Sequence, residues 1–181
     1  MPVPSQKAPR TKKEAIPPLL LRWNPFVKES AEHFDLDANL LLALIWTESE
    51  GDPTACRPEP RFVWFYQPEV GPLHRNGLSV QANRELARRV LGEKEFTFQS
   101  ASHGLCQVMG AVAREMGFVA EPETLYNPEV NIGYGAECLA THLHRTRGDV
   151  TKALLRYNGG ANPQYPVKVQ ERWERLKHEP V

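Results

Sequence analysis

Three observations predict a mainly α-helical fold with a long, partly irregular middle and a flexible N-terminal tail. Asn or Asp capping signals recur in front of runs with helical apolar spacing, glycines close most of those runs, and stretches alternating apolar with polar residues are few. The chain has 181 residues, 41% of them hydrophobic and 24% charged, which suits one globular unit able to bury a core.

The elements follow in order. Residues 1–20 read as a flexible basic tail, because Pro2, Pro4, Pro9, Pro17 and Pro18 crowd it alongside Lys7, Arg10, Lys12 and Lys13. The folded domain is then residues 21–181. Asn24 and Pro25 predict a capped first helix with Phe26, Ala31 and Phe34 on its apolar side. Asp37 caps a second helix in which every residue from Leu40 to Trp46 is apolar, so the other helices must enclose it. It leaves abruptly through the polar run Thr47-Glu48-Ser49-Glu50-Gly51. The text is then irregular to about Leu78, with room for a short hairpin, until residues 80–91 show helical spacing stopped by Gly92. Small residues from Ser100 to Gly110 predict a loop entering a short helix at 111–116, closed by Gly117. Asn127-Pro128-Glu129 repeats the cap, proline and acidic first turn and opens a long helix through Ile132, Ala136, Leu139 and Leu143 to Gly148. Asp149 caps a helix at 150–157 that stops at Gly159-Gly160, and a last helix at about 166–177 carries Val167, Val169, Trp173 and Leu176.

Composition removes several classes of function. Lys plus Arg and Asp plus Glu are both 22, so the formal net charge is zero and no overall field draws the chain to nucleic acid. The longest apolar run, near Leu40 to Trp46, is far short of the roughly 20 residues of a membrane span. That reads as a soluble protein. The start of the chain lacks the apolar stretch of a secretory signal, so the expectation is synthesis in the cytoplasm without a signal peptide. Three scattered cysteines, Cys56, Cys106 and Cys138, argue for reduced, partly buried thiols rather than a disulfide framework. His142 and His144 lie two apart on a helix and do not share a face, so no metal is expected; no phosphate loop and no Gly-x-Ser-x-Gly elbow occurs. No cofactor is implied.

Glu48 is the candidate acid. Its neighbours three, four and seven positions back on the enclosed helix are Ile45, Leu44 and Leu41, so its carboxylate emerges beside the core. Desolvation there disfavours the charged form and lets the group hold a proton near neutrality. Glu50 lies about 200° further round the helix and is wetter. Taken alone, Glu48 is better explained as an ordinary helix-end residue.

Three further segments change that reading: Gly104-Leu105-Cys106-Gln107-Val108-Met109, the run from Asn127 to Ala136, and Leu155-Arg156-Tyr157-Asn158-Gly159-Gly160. After the Glu48-Ser49 pair, and in this order, they resemble the lytic transglycosylases of the soluble (SLT) type, which share a lysozyme-like fold with goose-type lysozymes. The resemblance runs over roughly residues 25–177 and excludes the middle segment. It implies that Glu48 is the single catalytic acid, followed by the family's usual Ser49. It also implies that Gln107 and its motif neighbour Met109 line the sugar cleft, that Tyr157 orients the catalytic carboxylate, and that Asn158 contacts the sugar. Structural roles for Tyr157 (packed, hydroxyl satisfied) and Asn158 (helix stop) stand beside these.

The chain departs from the family pattern at Cys106, where methionine is usual, at Gly110, where proline is common, and at Arg156, where a small residue is typical. The segment 51–103 is longer than usual and forms an insertion between motifs. It contains Phe62-Val63-Trp64-Phe65-Tyr66, of which Trp64 and Tyr66 are candidate sugar-stacking rings, although a hydrophobic anchor for the insertion explains the cluster as well.

The resemblance implies a peptidoglycan lytic transglycosylase that cuts the MurNAc-GlcNAc β-1,4 bond and leaves a 1,6-anhydro-MurNAc end. Two alternatives stay open. One is a goose-type muramidase using water and a second carboxylate, for which Asp52 and Glu59 are nearby in sequence; the other is a non-catalytic wall-binding or structural virion module. The partners expected are peptidoglycan glycan strands, and other virion proteins if the chain travels in the particle. A short domain of this kind without a secretion signal fits a bacteriophage product acting on the cell wall, either an endolysin or a virion enzyme used at infection.

Overall fold

The computed structural model describes residues 15–179. Its helices are α1 (Pro18–Leu21), α2 (Asn24–His33), α3 (Ala38–Ser49), α4 (Val80–Leu91), α5 (Glu93–Gln99), α6 (Gly110–Glu115), α7 (Pro128–Arg145), α8 (Val150–Tyr157) and α9 (Tyr165–His178), with a 3-10 turn at Pro122–Tyr126. The strands are short: β1 (Cys56–Pro58), β2 (Tyr66–Gln67), β3 (Gly71–Pro72), β4 (Ala101–His103) and β5 (Val108–Met109). β1, β4 and β5 form an antiparallel sheet in that order, and β2 and β3 make a separate hairpin. The mainly α expectation holds.

The core is built around α3. Asp37 accepts hydrogen bonds from the amides of Asn39 and Leu40 and so starts the helix where the capping signal lies. All seven residues from Leu40 to Trp46 are buried, and a fully buried side chain of this size stabilises the fold by about 1.5–3 kcal/mol. α9 covers one side of α3. Its buried residues Tyr165, Val169, Arg172 and Leu176 recur every three or four positions and so share one face. Arg172 donates to the Trp46 carbonyl at 2.7 Å and lies 4.7 Å over the Trp46 ring. A cation is tolerated in that position because it is paired with a carbonyl and an aromatic face.

A second constraint joins α7 to the loop between β4 and β5. Asn131, fully buried, accepts from the amide of Cys106 at 2.8 Å and donates to the carbonyls of His103 and Leu125 at 2.9 Å each. Gly104 permits this approach. Its φ is +70°, and a Cβ there would sit 2.5 Å from the Asn131 amide nitrogen.

The expected boundaries need three corrections. The tail assigned to residues 1–20 ends earlier: residues 1–14 lie outside the described residues, but Ile16 packs against the core and Leu20 in α1 is fully buried. Pro17 and Pro18 therefore open a helix, as proline at a first turn can. Asn24 is not the cap of α2; Trp23 holds that position with no side-chain capping bond, and its indole donates to the Gly51 carbonyl instead. The segment 51–103 is only partly irregular. It contains α5, whose Phe96 and Phe98, two residues apart, serve two different clusters, so no single apolar face announces the helix. Cys56 is exposed, Cys106 buried and Cys138 half-buried, all three as free thiols.

Asn131→Ala leaves one amide and two carbonyls without partners in a dry site. Denaturant unfolding should show a loss of about 3 kcal/mol; a loss below about 1 kcal/mol would show that the clamp is dispensable.

Candidate active site

Glu48 sits in the last turn of α3, where the helix passes from the core into a cleft. Its Oε1 accepts a hydrogen bond from the Tyr165 hydroxyl at 2.6 Å. Burial raises its pKa above the ordinary carboxylate range; the Tyr165 hydrogen bond and the charges of Arg57 and Lys168 oppose that shift, and Glu59 adds to it. The Tyr165 phenol is itself held protonated by burial and by the adjacent carboxyl. With Tyr165 donating to Oε1, the proton of the neutral acid belongs on Oε2, and such a group can serve a leaving oxygen. Glu50, at the left-handed C-cap with φ +57°, is exposed as expected.

Two concavities meet at Glu48. The larger, about 520 Å³, runs past Trp64, Gln107, Met109, His142 and Tyr157. The smaller, about 380 Å³, continues past Gln164, Tyr165 and Lys168, and the two share Glu48, Arg57 and Asn158. The carboxyl thus stands midway along a groove rather than at its end, which is the placement a cut inside a chain molecule requires.

The expected site residues divide into those the groove gathers and those it does not. Met109 and Asn158 line it, and the Asn158 amide makes no side-chain hydrogen bond among the described residues. Trp64, 61% exposed, also lines it and packs against His74 with ring centroids 4.0 Å apart. Gln107 faces the groove, but its amide is spent within the loop. Nε2 donates to the carbonyls of Ala55 and Gly104, and Oε1 accepts from Ser102. Those bonds hold Gln107 at φ +48°, a conformation that costs a non-glycine residue about 1–2 kcal/mol.

Three expectations are corrected. Tyr157 does not orient the carboxyl: its single hydroxyl proton goes to the Cys106 carbonyl at 2.7 Å, and Tyr165 makes the contact to Glu48. Ser49 points away from the groove; its hydroxyl donates to the Leu105 carbonyl at 2.8 Å and ties α3 to the loop that carries Gln107. Tyr66 lies in β2, where its backbone pairs with the Gln99 side chain, outside both concavities. Phe65, not Trp64 or Tyr66, is the anchor of the insertion, buried with Leu73, Ala87 and Phe96.

Residues not anticipated complete the site. Tyr165 and Lys168 arrive on α9, and Arg57 arrives on β1, paired at 2.9 Å with Glu59, which the sequence offers only as a partner for a water. Arg84 fixes that wall by donating to the carbonyls of Glu59 and Phe62. The insertion therefore builds one side of the groove. Of the two carboxylates weighed as partners for a water, Glu59 reaches the larger concavity, whereas Asp52 is turned into its own loop, accepting from Thr54. Among the described residues no group of three His, Cys, Asp or Glu side chains is placed to hold a metal, and no helix is long and apolar enough to cross a membrane.

This geometry, a buried acid on an enclosed helix at the middle of a long groove, defines a lysozyme-like domain. Residues 25–178 match the family model described as the transglycosylase SLT domain, and the chain belongs to that family. It is 26% identical over 159 residues to a transglycosylase of Enterobacteria phage PRD1, covering 83% of this chain and 43% of that protein. The chain thus spans less than half the length of that relative. Its fold is similar to the crystal structure of a Burkholderia AP3 phage endolysin, with a TM-score of 0.54 at 17% identity, over 87% of this chain and 71% of the other.

The two tyrosines have separable signatures. Tyr165→Phe removes a donor to the charged carboxylate, so the Glu48 pKa rises further; the alkaline limb of the pH-rate profile should move up and kcat should fall about tenfold. Tyr157→Phe should leave that limb in place. A shift with Tyr157→Phe and none with Tyr165→Phe would reverse the assignment.

Proposed function

We propose that this chain is a peptidoglycan lytic transglycosylase that cleaves the MurNAc-GlcNAc β-1,4 bond and leaves a 1,6-anhydro-MurNAc end. The observation that carries the reading is the buried Glu48 carboxyl at the midpoint of the groove, where burial favours its neutral form, with Tyr165 bonded to one oxygen and the other left for the substrate. In this mechanism Glu48 donates its proton to the leaving glycosidic oxygen. The resulting carboxylate then takes the proton of the muramyl C6 hydroxyl, whose oxygen closes on the anomeric carbon. One carboxyl suffices because the nucleophile is tethered, and well-oriented intramolecular groups reach effective molarities of about 10⁵ M or more. Phage relatives support a role in degrading the host cell wall, at lysis or at infection.

The muramidase reading keeps one specific observation in its favour, the presence of Glu59 on the same groove. Against it, Glu59 is already held by Arg57 at 2.9 Å, and a general base for water needs its lone pairs aimed at that water. Mass spectrometry of digested peptidoglycan separates the two. The expected products are anhydromuropeptides, one water lighter than the reducing-end species; reducing ends as the main product would establish hydrolysis.

Glu48→Gln should lower wall-clearing activity by about 10²–10⁴-fold, since glutamine accepts the Tyr165 hydrogen bond but donates no acid proton. It should also reveal the linkage. Because the folded pKa is raised, the native state binds the Glu48 proton more tightly than the unfolded chain does. Glu48 therefore erodes stability as pH rises from the ordinary value of 4.5 through the raised one. The variant should melt higher than the wild type at neutral pH, with the gap closing toward pH 4. Equal melting at both pH values would show that the carboxyl is not desolvated. The same pKa predicts that wild-type activity falls as pH rises through it, because the acid form is then lost.

A further inference from the structure

In the larger concavity one charge is left without an ion-pair partner among the described residues. In the larger concavity the charged side chains are Glu48, Glu59, Arg57 and Arg156. Arg57 and Glu59 pair with each other at 2.9 Å, and Glu48 is neutral in the acid form the proposed reaction requires. Arg156 remains. Its guanidinium makes no ion pair or hydrogen bond among the described residues, and the residue is exposed at the end of α8 just before Tyr157. Beside it on the same wall is His142, whose Nδ1 is buried without a hydrogen-bond partner. Burial, Arg145 and Arg156 hold the His142 pKa below its ordinary value, so the ring is a neutral hydrogen-bonding group near pH 7. A planar cation without an ion-pair partner, beside a neutral ring on the cleft lining, forms a receptor for an anion.

Resting on the glycan-cleaving reading, we propose that Arg156 recognises a free carboxylate of the stem peptide joined to a muramyl lactyl group, so that the enzyme prefers glycan strands that bear peptide stems. In an intact strand each lactyl carboxyl is held in the amide that joins the stem, so the free carboxylates are those of the stem peptides; removing the stems exposes lactyl carboxylates instead. Arginine suits this task because its fork meets a carboxylate with two parallel hydrogen bonds. Arg156 stands where the resemblance leads one to expect a small residue, which makes the preference a property of this chain.

The test uses binding, so it does not depend on turnover. In a Glu48→Gln background, calorimetry measures affinity for three probes: a stem-bearing GlcNAc-MurNAc tetrasaccharide, the same glycan after amidase removal of the stems, and a chitooligosaccharide of equal length without carboxylates. Adding Arg156→Gln should weaken binding of the stem-bearing probe about fivefold and leave the chitooligosaccharide within twofold, with Arg156→Lys intermediate. The difference should shrink as salt is raised, because this contact is exposed. Weakening confined to the amidase-treated probe, whose anions are lactyl carboxylates, overturns the preference for stems. Equal weakening on all three probes, or no change on any, overturns the proposal. The catalytic reading is tested apart from this by the products released by the wild type.

Discussion

The enclosure of α3 is the constraint from which the rest follows. A helix with apolar residues from Leu40 to Trp46 has no face to give to water, so α9 and the other helices must surround it. The residue that ends such a helix inherits its dryness. Glu48 is two positions beyond Trp46, and its carboxyl is consequently held at the border between core and cleft, where the neutral form is favoured. The cost of desolvating that group is the chemical resource of the site, and the packing of the helices supplies it.

The same packing positions the groups around the acid. α9 touches α3 through one stripe, and the stripe that buries Val169 and Leu176 also delivers Tyr165 to Glu48 and Arg172 to the Trp46 carbonyl. Orientation of the carboxyl and cohesion of the core are thus one contact surface. The opposite wall comes from two sources. Asn131 and Ser49 fix the loop bearing Gln107 against α7 and α3, and the insertion, pinned by Phe65 and Arg84, places Arg57, Glu59 and Trp64 across from them. Gln107 and Ser49 act on the cleft by shaping its backbone rather than by offering free polar groups to a ligand.

Tyr165 is buried and Tyr157 partly buried, both on or beside the C-terminal helices, and nothing local to either states which hydroxyl reaches across 117 residues to Glu48. The buried stripe of α9 includes a tyrosine and an arginine, while the apolar Val167 between them is 47% exposed; an apolar count along the helix therefore selects the wrong face. From its sequence alone the aromatic run 62–66 offers Trp64 and Tyr66 as sugar platforms. Alternation along an extended segment sends Phe65 inward and Trp64 outward, and the hairpin then carries Tyr66 away from the groove.

What the sequence determined by itself was local in origin. Asp37, Asn127 and Asp149 cap the helices they precede, glycines stop them, and the unbroken apolar run marks the most enclosed helix and with it the acid at its end. These signals act within one turn of the chain, so they can be read without knowing the partners. Only the tertiary structure decided which tyrosine meets Glu48, which wall the insertion builds and which arginine of the larger concavity has no ion pair among the described residues. Each of these depends on groups far apart along the chain being brought within a few ångströms by close packing, and no local pattern encodes that distance.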